Sequence, residues 1–387
     1  MKIFVNGTPL LAPLTGIGQY IRHLFTAMEQ QALADVFMHY GLRIENGVRL
    51  PSESQANSIH RANAVFQRWV PYPRTMRRMA EKILFAYQSR VHLRDAIYHE
   101  PNYVPMPFDG PLVLTVCDMS CFDHPQTHPA ERVRLMEKEM PKALARADHV
   151  VVISESSKEA LRRWFDVPLE KITTTYLAAD DRFRPYEAAD LLPLLDGLGL
   201  VAGSYVLCVG TLEPRKNLST LFAAYAGLPA DLRERFPLVV AGMSGWHTGD
   251  LMQSAQALIQ SGQLRLLGYV KDALIPPLYA GAAAFCYPSR YEGFGLPVLE
   301  AMACGVPVVT SNQTSLPEVV GQAGLMADPD DVDGMREALR RLLEDRDYAQ
   351  NLVKLGLERA QLFSWNKCAR ETVAVYEKVL AARAIAK

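Results

Sequence analysis

The 387-residue chain lacks the features that mark several classes of protein. No run approaches the roughly 18 consecutive apolar residues that a membrane-spanning helix needs. The formal net charge of −1 argues against nucleic acid as the main partner, because such a partner requires a basic surface. The six cysteines are scattered, which is typical of reduced thiols and not of a disulfide framework. Met1 and Lys2 lead directly into an apolar strand pattern and not into a signal peptide, so we expect a cytoplasmic protein.

The chain instead shows the pattern of an α/β protein, since short apolar runs alternate with helical segments throughout. Its composition, 49% hydrophobic and 21% charged, is ordinary for a globular protein. We predict one series of strands at residues 2–6, 36–40, 96–99, 113–117, 149–153 and 172–176. A second series is predicted at residues 205–209, 238–241, 265–267, 283–287, 306–310 and 324–327. Helices are predicted at residues 18–30, 129–146 and 155–165. This alternation predicts two parallel sheets.

A segment rich in proline and glycine separates the two series of strands. We therefore predict a first domain over residues 1–185, a linker over 186–203 and a second domain over 204–363. The tail, residues 364–387, has the pattern of one or two helices that begin after Ser364 as the N-cap. Element limits inferred in this way are accurate to a few residues.

The stretch YEGFGLPVLEAMACGVPVV, residues 291–309, is the most informative in the chain. Glu292 and Glu300 are separated by seven residues. Gly293 and Gly295 let the backbone pass close to a ligand, because they have no Cβ and can adopt positive φ. A helix is predicted at about 296–304, and a helix N-terminus offers free N–H groups to an anion. The segment could hold a phosphorylated sugar, with amides for the phosphate and carboxylates for hydroxyl groups.

This string resembles the donor-binding signature of retaining nucleotide-sugar glycosyltransferases of the GT-B type, family four. The strings GTLEPRKN, residues 210–217, and SNQTSLPEV, residues 311–319, are similar to those of bacterial mannosyltransferases of surface-polysaccharide synthesis. The resemblance implies two facing Rossmann-like domains, with the acceptor on the first and the nucleotide sugar on the second. It also implies that the C-terminal helix crosses back to the first domain. An ordinary loop–helix–strand corner is the alternative for residues 291–309.

The resemblance further implies roles for individual residues. Glu292 would bind sugar hydroxyl groups and Glu300 the ribose. Arg215 and Lys216 would stabilise the leaving diphosphate together with the helix N-terminus, as preorganised electrostatic catalysts. Thr211 occupies the position of the family's usual arginine, so Arg215 is expected to supply the guanidinium. The predicted donor-binding set is Gly16, Gly18, Thr211, Tyr269, Val270, Gly293, Phe294, Gly295, Leu296 and Glu300, and the predicted catalytic set is Asp118, Arg215, Lys216 and Glu292.

Residues 114–119 resemble the family's T-x-H-D segment, but Cys117 replaces the histidine, which puts a catalytic role for this position in doubt. Asp118 remains and could position the donor or the acceptor. Cys117, Cys121, His124 and His128 have spacings that zinc would tolerate, but the family's loop here contains no metal. The sequence Asp-Pro-Asp at 328–330 is predicted to cap a helix at 332–343 and not to bind a metal, and Asn217 is predicted to cap the helix at 218–225. Neither a metal nor a cofactor is expected.

We therefore expect an enzyme that transfers mannose or a related sugar from a GDP donor to a carbohydrate or lipid-linked acceptor. A nucleotide-sugar epimerase and a non-catalytic scaffold of a polysaccharide assembly are the alternatives. Basic residues interleaved with aromatic residues between positions 61 and 94 predict peripheral attachment to an anionic membrane surface. A solvated helix face with buried aromatic residues is the alternative for that region.

Overall fold

The computed structural model describes residues 1–11, 16–41, 43–50, 73–93, 95–243, 245 and 249–385, and within the helix at 73–92 it describes the side chains of 81–91. Much of the basic and aromatic segment between positions 61 and 94 lies outside these residues. So does Thr15, which precedes the predicted donor-binding residue Gly16. The described residues contain two sheets, one in each half of the chain. Within them, no helix is long and apolar enough to cross a membrane.

In the described part of the first half, seven strands form a sheet in the order β3-β2-β1-β4-β5-β6-β7. The strands are β1 (Lys2–Asn6), β2 (Asp35–His39), β3 (Ile44–Asn46), β4 (Ile97–Glu100), β5 (Leu112–Val116), β6 (His149–Val152) and β7 (Ile172–Thr174). All neighbours pair in parallel except β3, which is antiparallel to β2. The six predicted strands are confirmed to within two residues. The prediction of a wholly parallel sheet is wrong at this edge, because the three residues of β3 form no apolar run.

Five helices are described in this half of the chain. They are α1 (Gly16–Gln30), α2 (Pro73–His92), α3 (Ser120–Asp123), α4 (Ala130–Arg146) and α5 (Glu155–Trp164). The buried face of α1 is formed by residues at helical spacing, including Tyr20, Leu24 and Met28. Ser154 caps α5, because its side chain accepts a hydrogen bond from the N–H of Ser157.

The described part of the second half forms a six-stranded parallel sheet in the order β10-β9-β8-β11-β12-β13. Its strands are β8 (Val206–Val209), β9 (Leu238–Ala241), β10 (Leu264–Gly268), β11 (Ala284–Tyr287), β12 (Val308–Ser311) and β13 (Gly324–Ala327). The helices from here to the C-terminus are α6 (Ala188–Asp196), α7 (Leu218–Ala226), α8 (Ala230–Arg235), α9 (Gly249–Gln260), α10 (Ile275–Ala280), α11 (Leu296–Ala303), α12 (Leu316–Val320), α13 (Val332–Glu344), α14 (Arg346–Ala360) and α15 (Trp365–Ile385). The predicted second series of strands is confirmed.

Both sheets have the strand order of a Rossmann-like domain, in which the direction of strand addition reverses once. The reversal lies between β1 and β4 in the first sheet and between β8 and β11 in the second. Open α/β sheets bind ligands in the crevice at the carboxyl ends of the strands on either side of this reversal. A ligand-binding site is therefore expected at the loops after β8 and β11.

The C-terminal helix α15 returns to the first half of the chain and packs against α1. Its Tyr376 hydroxyl lies 2.5 Å from Nδ1 of His99, whose Nε2 lies 2.6 Å from the hydroxyl of Thr115. All three side chains are fully buried, so this network ties the end of the chain to the core of the first sheet. The predicted return of the last helix is confirmed. The predicted linker, residues 186–203, contains α6, in which Leu191 and Leu195 are buried.

Candidate functional site

The reversal in the second sheet brings together three charged residues that lie far apart in sequence. Arg215 and Lys216 follow β8, and Glu292 follows β11. The Lys216 ammonium lies 2.7 Å from Oε1 of Glu292, and the Arg215 guanidinium lies 3.1 Å from Oε2. Ser289 places its hydroxyl 2.6 Å from the same Oε1. Each carboxylate oxygen of Glu292 therefore contacts a basic side chain from the loop after β8.

The electrostatics of the cluster follow from burial and from these short distances. Burial alone would raise the pKa of Glu292, but Arg215 and Lys216 outweigh it and hold the pKa at about 2. Burial would lower the pKa of Arg215, and Glu292 and Glu213 outweigh it, so that pKa is raised. The pKa of Lys216 is lowered by burial and by its neighbour Arg215. At neutral pH Glu292 is thus ionised and lies between two basic side chains.

Arg215 and Lys216 use their hydrogen-bond donors differently. Arg215 pairs with Glu213 at 2.6 Å, binds Glu292 and donates to the backbone oxygen of Tyr291. Its guanidinium therefore braces the loop after β11. Among the described residues, Lys216 donates to Glu292 and, at 2.6 Å, to the Tyr287 hydroxyl. These contacts use two of its three N–H donors.

The glycine loop leads from this cluster into the N-terminus of α11. Gly295 has a φ of 108°, a conformation that glycine adopts without strain. At Gly293 a side chain would collide with the backbone oxygen of Cys117, which belongs to the first domain. The loop therefore lies directly under the end of β5. Phe294 is buried, and Leu296 begins the helix as predicted.

Thr314 and Ser315, which precede α12, support the same loop. The Thr314 hydroxyl accepts a hydrogen bond from the N–H of Glu292 at 3.0 Å. The Ser315 hydroxyl lies 2.9 Å and 2.8 Å from the backbone oxygens of Glu292 and Phe294. Neither side chain caps α12. Their role is to fix the backbone on both sides of Glu292.

Asn217 stands at the start of α7 but does not cap it, so that prediction is wrong. Its backbone is left-handed, with a φ of 57°, and its Oδ1 accepts a hydrogen bond from the Thr220 hydroxyl at 3.1 Å and not from a backbone N–H of the helix. Its Nδ2 instead donates to the backbone oxygens of Pro288 and Pro329 at 3.1 Å and 2.7 Å. Asn217 thereby joins the loop after β8 to the loop after β11.

Glu300 lies on α11, outside the charged cluster, and it is partly buried. Burial raises its pKa to about 7, and Asp272 and Asp180 add to that effect, while Arg182 opposes it. Arg182 bonds Asp272 at 2.8 Å. Glu300 therefore faces a set of acidic and basic side chains beside the segment that connects the two domains.

Cys117 and Asp118 lie at the end of β5, opposite the glycine loop. Burial raises the pKa of the Cys117 thiol, and the neighbouring Asp118 raises it further, so the sulfur carries no charge at neutral pH. Asp118 accepts hydrogen bonds from the N–H and the hydroxyl of Ser120 at 2.9 Å and 2.7 Å. A Cβ at Gly293 would lie 3.0 Å from the Cβ of Asp118. The structure thus places Asp118 against the glycine loop at residues 293–295, the predicted donor loop.

The remaining predicted donor contacts surround the cluster at greater distance. Gly16 and Gly18 lie in the first turn of α1, and Arg22 of this helix approaches Asp272 at 3.9 Å. Thr211 follows β8 in the same loop as Lys216. Tyr269 and Val270 follow β10, which is three strands from β11, or about 14 Å at the usual spacing. A ligand that touches both β10 and β11 must therefore be extended.

The possible metal positions have other partners. His128 Nε2 lies 2.9 Å from the Ser120 hydroxyl, and the His124 ring packs edge-on against Tyr291. Among the described residues, no group of three or more His, Cys, Asp or Glu side chains is arranged to hold a metal. The prediction that residues 328–330 cap α13 is wrong by one position, because Asp331 is the cap and accepts from the Gly334 N–H at 2.8 Å.

Sequence reasoning missed three residues of the cluster, which are Glu213, Tyr287 and Ser289. Glu213 pairs with Arg215, and the other two contact Lys216 and Glu292. The last residue of β11 and the second residue after it are positions that open α/β sheets use for binding. That rule would have found Tyr287 and Ser289, but no pattern in the sequence indicates Glu213.

Comparison with known proteins finds a family model and a relative that matches nearly the whole chain. Residues 202–359 match the family model described as glycosyl transferases group 1. The chain is 40% identical over 383 residues to the O-antigen chain mannosyltransferase B of Escherichia coli, and the match covers 97% of this chain and 100% of the relative.

Two solved structures have the same fold over nearly their whole length. The sucrose-phosphate synthase of Thermosynechococcus elongatus superposes with a TM-score of 0.72 at 22% identity, over 98% of this chain and 99% of that chain. The Anabaena protein HepE, solved in complex with UDP-glucose, also superposes with a TM-score of 0.72, at 16% identity, over 97% and 99% of the two chains. At these identities the likeness concerns the fold.

Proposed function

The chain belongs to the group 1 glycosyltransferases, and from this premise we propose that it is a retaining mannosyltransferase of surface-polysaccharide synthesis. The donor is GDP-mannose or a related GDP-sugar, and the acceptor is a carbohydrate or a lipid-linked oligosaccharide. The observation that carries the proposal is the full-length similarity to an O-antigen chain mannosyltransferase, joined to a charged cluster at the reversal point of the second sheet.

In this proposal the nucleotide sugar lies along the carboxyl ends of the second sheet. The base is near Tyr269 and Val270, and the ribose is near Glu300. The diphosphate lies between Lys216 and the N-terminus of α11, where the free N–H groups favour negative charge. The distance of about 14 Å from β10 to β11 suits an extended nucleotide diphosphate sugar.

The transfer forms a bond between the anomeric carbon and an acceptor oxygen and breaks the bond to the diphosphate. Negative charge grows on the leaving diphosphate, and the third N–H donor of Lys216 together with the start of α11 stabilises it. Glu292 orients the sugar through its hydroxyl groups. The acceptor proton passes to an oxygen of the departing phosphate, so no protein base is required.

The test is sugar transfer by the purified protein with GDP-mannose, UDP-glucose and dTDP-linked sugars, each with and without oligosaccharide acceptors. Transfer from GDP-mannose alone is expected, and transfer only from UDP or dTDP sugars would contradict the donor assignment. Conversion of a donor to its epimeric nucleotide sugar without any acceptor would favour the epimerase, and absence of turnover with all donors would favour the scaffold. Binding gives a second measure, since a donor at 100 times its dissociation constant adds roughly 2.7 kcal/mol to stability.

We also propose that the protein acts in the cytoplasm, attached peripherally to the inner face of the cell membrane. The basic residues that suggested this lie mostly outside the described residues. Three exposed apolar residues on the described part of α2 support it, since Ile83, Tyr87 and Val91 are 63%, 65% and 55% exposed at successive turns. An apolar stripe beside basic residues is the pattern of a helix that lies at an interface.

A further inference from the structure

One side chain of the second domain is bound by backbone donors of the first. The carboxylate of Glu318, on α12, accepts hydrogen bonds from the N–H groups of Glu155 and Ser156 at 2.9 Å and 3.1 Å. These are the first two residues of α5. The Tyr176 hydroxyl, also in the first domain, donates to Oε2 of Glu318 at 3.2 Å. Glu318 therefore occupies the positive end of a helix that belongs to the other domain.

The same end of α5 also reaches the donor loop. The Ser157 hydroxyl lies 3.1 Å from the backbone oxygen of Cys117 and 3.2 Å from that of Gly293. Ser157 is fully buried between the two domains. Thr314 and Ser315, just before α12, bind the backbone of Glu292. Glu318 lies on that same short helix, so its contact with α5 is connected to the donor loop through α12.

This arrangement covers the donor loop with the first domain. A Cβ at Gly293 would collide with the backbone oxygen of Cys117, so no space for a ligand separates the two loops at that point. A nucleotide sugar that enters between the domains at this point would need a more open arrangement, in which the contacts across this boundary are broken. Domains of one chain move in this way when the boundary between them is mostly polar.

We propose that Glu318 is a positioning residue that stabilises the closed arrangement of the two domains. It binds the N-terminus of α5 when the domains close over the donor. The carboxylate does not touch the reacting atoms. Its hydrogen bonds to α5 determine the fraction of molecules that adopt the closed arrangement. In that arrangement Asp118 lies against Gly293, and the acceptor domain contacts the donor loop. The proposal concerns the transfer reaction of this family and does not depend on which sugar or nucleotide is used.

Glu318 is suited to this role by the chemistry of its contacts. Hydrogen bonds to an ionised acceptor are roughly twice as strong as those between neutral groups. The Tyr291 hydroxyl and the Met119 N–H form a neutral contact across the same boundary at 3.1 Å. The charged pairs that Arg22 and Arg182 form across it share Asp272, whose side chain is 50% exposed and therefore more strongly screened by water. The binding groups of α5 are backbone amides, so Glu318 can be changed without altering the partner.

The test compares Glu318→Ala with Glu159→Ala, which removes an exposed carboxylate from α5 itself. Small-angle X-ray scattering of the unliganded proteins should give a larger radius of gyration for Glu318→Ala than for the wild type and the control. Saturating donor should reduce that difference. Loss of two charge-assisted bonds predicts a rise of roughly tenfold or more in the KM for the donor, with kcat at saturation closer to the wild type.

If Glu318→Ala folds poorly, two milder variants test the same contact with α5. Glu318→Gln retains one acceptor oxygen, and Tyr176→Phe removes one of the three contacts, so both should shift the radius and the KM in the same direction by less. Wild-type scattering and KM in all three variants would overturn the inference, and so would a lower melting temperature without any change in scattering or KM. The scattering comparison stands even if GDP-mannose proves not to be the donor.

Discussion

Replacing Glu292 by alanine or glutamine tests the assignment of the whole cluster. Its carboxylate is the common partner of Arg215, Lys216 and Ser289, and it lies where the transferred sugar is expected. We expect turnover to be lost in Glu292→Ala while the protein remains folded. In Lys216→Ala the rate should fall by roughly 10²–10³-fold, as when one preorganised donor to a developing anion is removed.

The cost in stability can be worked from the pKa of Glu292. Its fall from 4.5 to about 2 corresponds to about 3 kcal/mol, since one pKa unit is about 1.4 kcal/mol. Because the pKa is depressed in the folded state, this contribution is complete above pH 4.5 and is lost as the pH falls toward 2. Glu292→Gln should therefore be less stable by up to about 3 kcal/mol at pH 7, which leaves a protein of ordinary stability folded.

The assay is sugar transfer by purified variants, with urea unfolding of the same preparations. Glu344→Gln is the matched control, since Glu344 pairs with Arg340 on the exposed face of α13 and should change stability by less than about 0.5 kcal/mol. Near wild-type rates in both Glu292→Ala and Lys216→Ala would refute the site. Equal unfolding free energies for Glu292→Gln and the wild type at pH 7 would refute the electrostatic reasoning.

Three further predictions concern metal, pH and membrane. Exhaustive treatment with a chelator should leave the rate of transfer unchanged, and activity that is lost and then restored by magnesium or manganese would contradict this. Burial raises the pKa of Glu300 from 4.5 to about 7, so the free energy of unfolding falls as the pH rises from about 4.5 to about 7, and the full cost remains above that range. Glu300→Gln should therefore unfold at a higher temperature than the wild type at pH 8 and at the same temperature at pH 4, and a constant difference would show the cause to lie elsewhere. Replacing Arg74, Arg77 and Arg78 with serine should strongly weaken sedimentation with anionic vesicles at low salt, since each basic residue contributes on the order of 1 kcal/mol. Equal binding of the wild type to neutral and anionic vesicles, or no binding to either, would reject peripheral attachment.

The sheets and the position of the site could be predicted from the sequence because they rest on local patterns. Buried parallel strands are continuous apolar runs, so β1 and β9 have the limits that were predicted. The edge strand β13 also has its predicted limits, although none of its residues is fully buried. Glycines beside Glu292 and the turn residues after β8 mark where backbone and ligand approach each other. The order of strands then follows from the two alternating series.

Contacts between distant segments could not be predicted in this way. The sequence favours Asn217 as a helix cap, but tertiary structure gives its side chain two carbonyl oxygens from loops about 70 and 110 residues away. The binding of Glu318 to α5 depends on how the domains face each other, which no local pattern encodes. The edge strand β3 has too few apolar residues to form a pattern.

The contacts of Arg215 and Lys216 also bear on how the cluster can act without a metal. Arg215 is held by Glu213, Glu292 and the backbone of Tyr291, so its charge is largely neutralised and its geometry is fixed. Lys216 is braced by Tyr287 and Glu292, and its remaining donor has no need to reorganise when an anion arrives. Preorganised dipoles and charges act more strongly in a site that excludes water than they would in solution. In the proposed mechanism the acidic partner Glu292 therefore does not oppose catalysis, because it holds Lys216 where the leaving diphosphate is expected.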